Sequence, residues 1–273
     1  MTETHYIHGT DPEEQKRLSR LNDLINRRSL TALALEGGER VLDVGSGLGQ
    51  LSRGMALGAG PQGRVIGIER SREQLARAQE LAHAAGEGTL VDFRVGDAMN
   101  LPLRDEEWGT FDVVHTRFLL EHLPEPMAVV KQMVRAVRPG GRIVLEDDDH
   151  AVFRMWPESP EVNRVWQAYL VTYPRLNLDA NIGRRLIEFL HQAGAKPVKN
   201  DELFFGSCAG DPDFGGFVEN VAGILIGGRA DILATGQVTD AEIDRGVDAL
   251  RAWGKRPEAA FWYTAAWAEG RKP

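Results

Sequence analysis

Along the first 150 residues short apolar runs alternate with stretches of helical period, and the alternation is regular enough to lay out the elements. VLDV at Val41–Val44, RVIGIER at Arg64–Arg70 and LVDFRV at Leu90–Val95 read as three strands, the last from its period of two. A fourth strand begins TFDVVHT at Thr110 and enters a short helix, and a fifth follows the turn Pro139-Gly140-Gly141 and ends in Asp147, Asp148 and Asp149. Between them helical spacing appears around Leu51–Leu57, over Ser71–Ala85 with Leu75, Ala78, Leu81 and Ala82 on one side, and over Met127–Val137. Upstream, Leu18, Leu21, Leu24 and Ile25 recur at helical spacing and run on to Leu30 and Leu33, with Asp11 and Pro12 as the N-cap and first-turn pair. Strand and helix in strict alternation predict a parallel sheet covered on both faces.

Beyond His150 the alternation stops. Val162, Val165, Trp166, Tyr169, Leu170 and Tyr173 lie on one face of an amphipathic helix inserted over 151–180, expected as a lid for the crevice at the strand ends. A helix over Ile182–Ala193, a sixth strand in AKPVKNDELFFG, and helices in Phe214–Leu233 and Asp240–Trp253 follow, the last capped by Thr239. AFWYTAAWA at Ala260–Ala268 is expected to pair antiparallel with the sixth strand. The expected domains are an N-terminal helical arm (1–34), a core (35–150), the lid insertion (151–180) and the remainder of the core with its inserted helices (181–273).

Composition narrows the function classes. The 273 residues, 42% hydrophobic, suffice for a full core. A net charge of −8 argues against the nucleic-acid backbone or an anionic membrane as the main partner. The lone cysteine, Cys208, excludes an intrachain disulfide and a multi-cysteine metal site, and the polar N-terminus lacks a signal-peptide pattern. No metal is expected, and the expected setting is the cytoplasm, with a homodimer left open.

The chemistry centres on Val41–Ser52, VLDVGSGLGQLS, in which Gly45, Gly47 and Gly49 turn a buried strand into a helix and let backbone approach a ligand. Glu69, twenty positions beyond Gly49 and at a strand end, suits both hydroxyls of a ribose. Asp97 ends the third strand on the same sheet edge. The glycine loop and Glu69 would serve an NAD-dependent oxidoreductase equally well, but Asp97 and the PGG turn have no required role there. His115, His122 and the group Asp147, Asp148, Asp149 and His150 supply candidate bases, of which His150 is preferred and His115 is second. Tyr6 belongs either to a loose terminus or to an arm folded over the cofactor.

Taken together, DVGSGLGQ, Glu69, Asp97-Ala98 and Pro139-Gly140-Gly141 resemble the ordered motifs of the class I S-adenosylmethionine-dependent methyltransferases of small molecules, over roughly residues 35–147. The resemblance implies a Rossmann-like, doubly wound α/β fold with a seven-stranded sheet, parallel but for an antiparallel strand at the end. It implies S-adenosylmethionine as cofactor and a small-molecule methyl acceptor. Backbone near Gly45 and Gly47 would meet the amino acid end of the cofactor, Glu69 the ribose, and Arg70 and Gln74 the adenine, with Asp43 and Gln50 also among the cofactor-binding residues. Gly96, Asp97 and Ala98 would border the adenine amine, and Arg117 and His122 would lie under the methionine portion. An aromatic lid suits a planar or hydrophobic acceptor. A protein that keeps the cofactor on this fold without transferring its methyl group is the alternative.

Overall fold

The computed structural model of the chain describes residues 25–273. These form two compact units, one of residues 25–148, 182–203 and 265–273 and the other of 149–181 and 204–264. The first unit begins with helix α1 (25–33) and alternates β1 (Arg40–Val44), α2 (Gln50–Ala59), β2 (Arg64–Glu69), α3 (Arg72–Ala84), β3 (Val91–Val95), β4 (Phe111–Arg117), α4 (Pro126–Ala136) and β5 (Val137–Asp148). The chain leaves it for β6 (Arg154–Trp156) and α5 (Pro160–Arg175), and returns with α6 (Leu186–Gln192) and β7 (Lys196–Phe204). It leaves again for β8 (Ser207–Cys208), α7 (Phe214–Gly227), α8 (Arg229–Ala234), α9 (Asp240–Trp253) and β9 (Ala260–Trp262), and closes with β10 (Thr264–Arg271).

The main sheet has seven strands in the order β3-β2-β1-β4-β5-β10-β7. The pairs β3–β2, β2–β1, β1–β4 and β4–β5 are parallel, and β10 runs antiparallel to β5. Successive residues of β1 go to opposite faces, which accounts for the continuous apolar run: Leu42 and Val44 pack with Ile66, Ile68, Val114 and the α4 residues Val129, Val130 and Met133. Val41 packs on the other side with Val65, Val113, Leu33 of α1 and Leu51 and Met55 of α2. Full burial of each such aliphatic side chain contributes roughly 1.5–3 kcal/mol. Strand order reverses at β1, whose neighbours β2 and β4 connect to opposite sides, and it is at the carboxyl ends of strands around such a point that doubly wound sheets bind ligands.

In the second unit β6, β9 and β8 form a small antiparallel sheet. Helices α5 and α9 pack closely because position 246 is glycine; a Cβ there would stand 2.6 Å from Cγ2 of Val165. The insertion and the helices that follow β7 thus share one unit.

Three expectations are corrected. The insertion over 151–180 is not helical throughout: it opens with a short turn and β6, and the helix starts at Pro160 where Ser159 caps it by accepting from the Val162 amide. Phe214–Leu233 is two helices, broken at Gly227-Gly228. The terminal strand is divided at Tyr263, β9 going to the small sheet and β10 to the main sheet, where it lies between β5 and β7 rather than pairing with the sixth strand alone. The Asp11-Pro12 cap and Tyr6 lie outside the described residues.

Candidate functional site

Two features shape the loop after β1. The amides of Gly45 and Ser46 both donate to the carbonyl of Ile68 at 2.9 Å, which bends the chain across the end of β2. Gly47, at φ +52°, then turns its own amide onto Oε2 of Glu69 at 3.0 Å. Gly49 serves packing as well as conformation: at φ +71° it precedes α2, and a Cβ there would stand 2.4 Å from the Phe93 ring.

Glu69 is gripped from both sides, since its Oε1 accepts from the Ser71 amide at 2.8 Å. Burial raises its pKa, partly offset by the bonds from the Ser71, Gly47 and Arg70 backbone and by the Arg70 charge. Each carboxylate oxygen has capacity for a second donor, so the carboxylate is fixed in position and still able to accept from a vicinal diol. Gln74 is buried on the first turn of α3 beside Gly47, while Arg70 is exposed at the end of β2. Gly96 donates its amide to the carbonyl of Glu69 at 3.0 Å, and its missing side chain makes room for Pro102. Asp97 is exposed and accepts from the Met99 amide at 2.9 Å; Ala98 packs against the apolar core. Gln50 opens α2. The loop, Glu69, Gln74 and the Gly96–Ala98 turn therefore share the carboxyl edge of β1, β2 and β3.

Beneath this edge runs a buried polar line that the sequence reading did not anticipate as a unit. Asp43 accepts from Ser52 Oγ at 2.5 Å through one oxygen and stands 3.0 Å from Nδ1 of His115 through the other. His115 Nε2 lies 3.8 Å from Oε2 of Glu146, whose Oε1 accepts from Ser29 Oγ at 2.9 Å. Arg117 donates to Ser29 Oγ at 3.0 Å and to Asn26 Oδ1 at 2.8 Å, tying the end of β4 to α1. Burial opposes a charge on His115, but the hydrogen bonds and charges of Asp43 and Glu146 outweigh it, and the pKa rises above the ordinary imidazole value. Burial pulls the pKa of Arg117 down, against the charges of Glu146, Asp43 and Asp148.

His115 is wholly buried on β4 between Asp43 and Glu146. Asp43, expected at the cofactor, has both oxygens engaged by side chains of its own chain.

The segment after β4 is turned sharply by Phe118, a non-glycine residue at φ +50°. Its amide donates to the carbonyl of Glu146 at 3.0 Å, and Oδ2 of Asp147 accepts from the amides of Leu119 at 3.2 Å and Leu120 at 2.8 Å. Asp147 is therefore a backbone clamp; burial, with the charges of Glu121 and Asp148, raises its pKa above the ordinary aspartate value. His122, on the following short turn, lies 3.5 Å from Glu121.

His150 belongs to the second unit. It is buried among Trp166, Tyr169, Tyr173 and Tyr263, with Nε2 3.1 Å from the Tyr173 hydroxyl and Nδ1 2.7 Å from that of Tyr263.

Sequence reasoning missed Ser29, Asn26, Ser52, Glu146 and Tyr263. Glu146 carried a usable signal, an acid one step before the Asp147–Asp149 run, in register with the apolar strand. Ser29 and Asn26 carried none, because only the packing of α1 brings them to Glu146 and Arg117.

Residues 42–145 match the family described as "Methyltransferase domain". Over 140 residues, 51% of this chain and 50% of the relative, the sequence is 36% identical to 27-O-demethylrifamycin SV methyltransferase of Amycolatopsis mediterranei. It is 30% identical over 150 residues to demethylmenaquinone methyltransferase of Desulfitobacterium hafniense, covering 52% of this chain and 58% of that one. The chain thus spans about half the length of these curated relatives. A SAM-dependent methyltransferase from Aquifex aeolicus has the same fold, with a TM-score of 0.54 at 18% identity, covering 94% of this chain and 99% of its own. No helix among the described residues is long and apolar enough to cross a membrane.

Proposed function

We propose that this chain, whose residues 42–145 are a class I S-adenosylmethionine-dependent methyltransferase domain, transfers a methyl group to a small metabolite with a planar or hydrophobic body. The domain match favours this reading over the NAD-dependent oxidoreductase that the glycine loop alone left open. The observation that carries the reading is the fixed carboxylate of Glu69, held by the Gly47 and Ser71 amides beside a loop that brings backbone to the surface.

The cofactor supplies an electrophilic methyl group on a positively charged sulfur. Glu69 holds the ribose diol, Arg70 and Gln74 flank the adenine, and Gly96, Asp97 and Ala98 border its amine. Gly45, Gly47 and Gln50 offer the loop and the start of α2 to the amino acid end, with Asp43 bracing the loop from beneath. Arg117 and His122 would lie toward the methionine portion. Transfer is an in-line displacement, so holding the nucleophile and excluding water provides most of the acceleration. His150 is the base for an acceptor that must lose a proton. The two curated relatives are named for demethylrifamycin and demethylmenaquinone, which supports an acceptor of the rifamycin or quinone kind.

Calorimetry with S-adenosylmethionine, S-adenosylhomocysteine and NAD, on wild type and Glu69→Ala, tests the cofactor assignment. Micromolar binding of the first two, weakened at least tenfold in the variant, is expected; equal binding by the variant removes Glu69 from the site. Conversion of an acceptor with one S-adenosylhomocysteine formed per product establishes transfer. Turnover without it identifies a protein that only retains the cofactor.

A further inference from the structure

We infer that His115, held between Asp43 and Glu146, sets the preference of the crevice between S-adenosylmethionine and S-adenosylhomocysteine: a charged ring favours the demethylated product, and loss of its proton favours the methyl donor. The inference rests on the cofactor assignment above and concerns residues of the first unit alone.

The two ligands share an adenosine and an amino acid end. They differ in one methyl group and in the positive charge that it places on sulfur. A buried charge behind the crevice therefore tells them apart, whereas contacts to the shared parts do not. The Asp43–His115–Glu146 line is placed for this. Asp43 and His115 are cross-strand partners on β1 and β4, and Arg117 and Glu146 are partners on β4 and β5. Asp43 lies two residues before Gly45, so the pair stands about 7 Å, two steps of a strand, behind the glycine loop.

Both ring nitrogens face acids, Nδ1 at 3.0 Å from Oδ1 of Asp43 and Nε2 at 3.8 Å from Oε2 of Glu146. A neutral imidazole has one N–H and one lone pair, so it would turn a lone pair toward one of two carboxylates; an imidazolium turns an N–H toward each. Nε2 and Oε2 are both buried, and neither has a hydrogen-bond partner among the described residues, so the charge of each compensates the other. Burial works against the ring's charge and the two acids outweigh it, which moves the loss of its proton above the ordinary imidazole value.

The surroundings keep the balance simple. Helices α1 and α2 offer the two acids only hydroxyls, from Ser29 and Ser52. Arg117 is the further cation on β4, facing Glu146, Asp43 and Asp148. Asp147 of β5 faces the Leu119 and Leu120 amides. From β10 the Trp267 ring stands 6.5 Å from His115; beyond it Lys199 of β7 lies over that ring, and Glu269 pairs with Arg142 at 3.4 Å. With His115 charged, the line places a cation behind the loop and disfavours the sulfonium. Once the ring is neutral, Asp43 and Glu146 are less compensated and attract it.

The test is calorimetry of both ligands with wild type, His115→Gln and Glu146→Gln, from pH 6.5 to about pH 9. Ionisation of the ligands, and of Glu69 and Asp147, is common to the three proteins and drops out when the ratio of the two affinities is compared between them. At pH 6.5 the preference of wild type for S-adenosylmethionine should be at least about threefold weaker than that of His115→Gln, and the two should converge as pH rises. Glu146→Gln removes one acid that holds the proton, so its change in preference should come at lower pH than in wild type. Coupling is reciprocal: in wild type the His115 imidazole, followed by 15N NMR, should lose its proton about half a pH unit lower with S-adenosylmethionine bound than with S-adenosylhomocysteine. That measurement stands even where a variant fails to fold. A smaller difference between wild type and His115→Gln, a difference that does not shrink with pH, a transition in Glu146→Gln no lower than in wild type, or one imidazole midpoint for both ligands overturns the inference and leaves the cofactor assignment standing. Wild type that binds neither ligand overturns both.

Discussion

Replacing His115 by Phe removes the central charge of the buried line while keeping a ring of similar size, so the packing change is small and the electrostatic change dominates. Two losses follow. The bond of 3.0 Å to Asp43 is charge-assisted, a class that contributes roughly 1.5–3 kcal/mol. Breaking a buried ion pair by removing one partner typically costs about 3–5 kcal/mol, because the remaining charge is stranded. Here each acid keeps one donor, Ser52 for Asp43 and Ser29 for Glu146, so the lower end applies and a destabilisation of about 3 kcal/mol is expected. For a chain of this size that lowers Tm by about 6–12 °C. Urea unfolding followed by tryptophan fluorescence suits the measurement, since Trp267 stands 6.5 Å from the His115 ring. Because the folded-state pKa is raised above 6.5, the contribution of the charged ring is complete below pH 6.5 and lost as pH rises through the folded value. The gap between wild type and variant should therefore narrow from pH 6.5 upward. A destabilisation under about 1 kcal/mol, or a gap that widens with pH, would refute a charged His115.

Gly49→Ala should destabilise the protein by about 2 kcal/mol or more, since it places a Cβ against the Phe93 ring and forces a left-handed residue; a melting temperature unchanged from wild type would contradict that packing. Glu107 accepts a bidentate pair from Arg94 at 2.7 and 2.8 Å, which holds its pKa down to about 2. Its contribution, at most about 3 kcal/mol, is present above pH 4.5 and lost as pH falls toward 2, so Glu107→Gln should flatten acid unfolding over that range. Thr239→Ala removes a reciprocal cap with Glu242 at the start of α9 and should cost about 1 kcal/mol in urea unfolding.

The sheet was legible because each central strand buries both faces, which writes a continuous apolar run between turn residues. Glu69 and the glycine loop were legible for a related reason: their geometry is local, fixed by a strand end and by positions that need φ above zero. The buried line was not. Asp43, His115 and Glu146 sit on three strands brought side by side only by the sheet, and Ser29 reaches them from a helix more than a hundred residues from Glu146. Pattern likewise hid the break at Tyr263, because a strand shared by two sheets alternates in sequence like a single one. The inserted helix was found by its period but its start was misjudged, although Ser159-Pro160 is a clear start signal.

Phe118 holds a left-handed conformation that costs an ordinary residue about 1–2 kcal/mol and a glycine almost nothing. Its ring lies 5.5 Å from the guanidinium of Arg117. A library of position 118 sorted for thermal survival alone should therefore drift toward glycine, and one sorted for turnover should keep an aromatic ring. Divergence between the two libraries would mark 118 as a residue at which the chain has settled below the stability open to it.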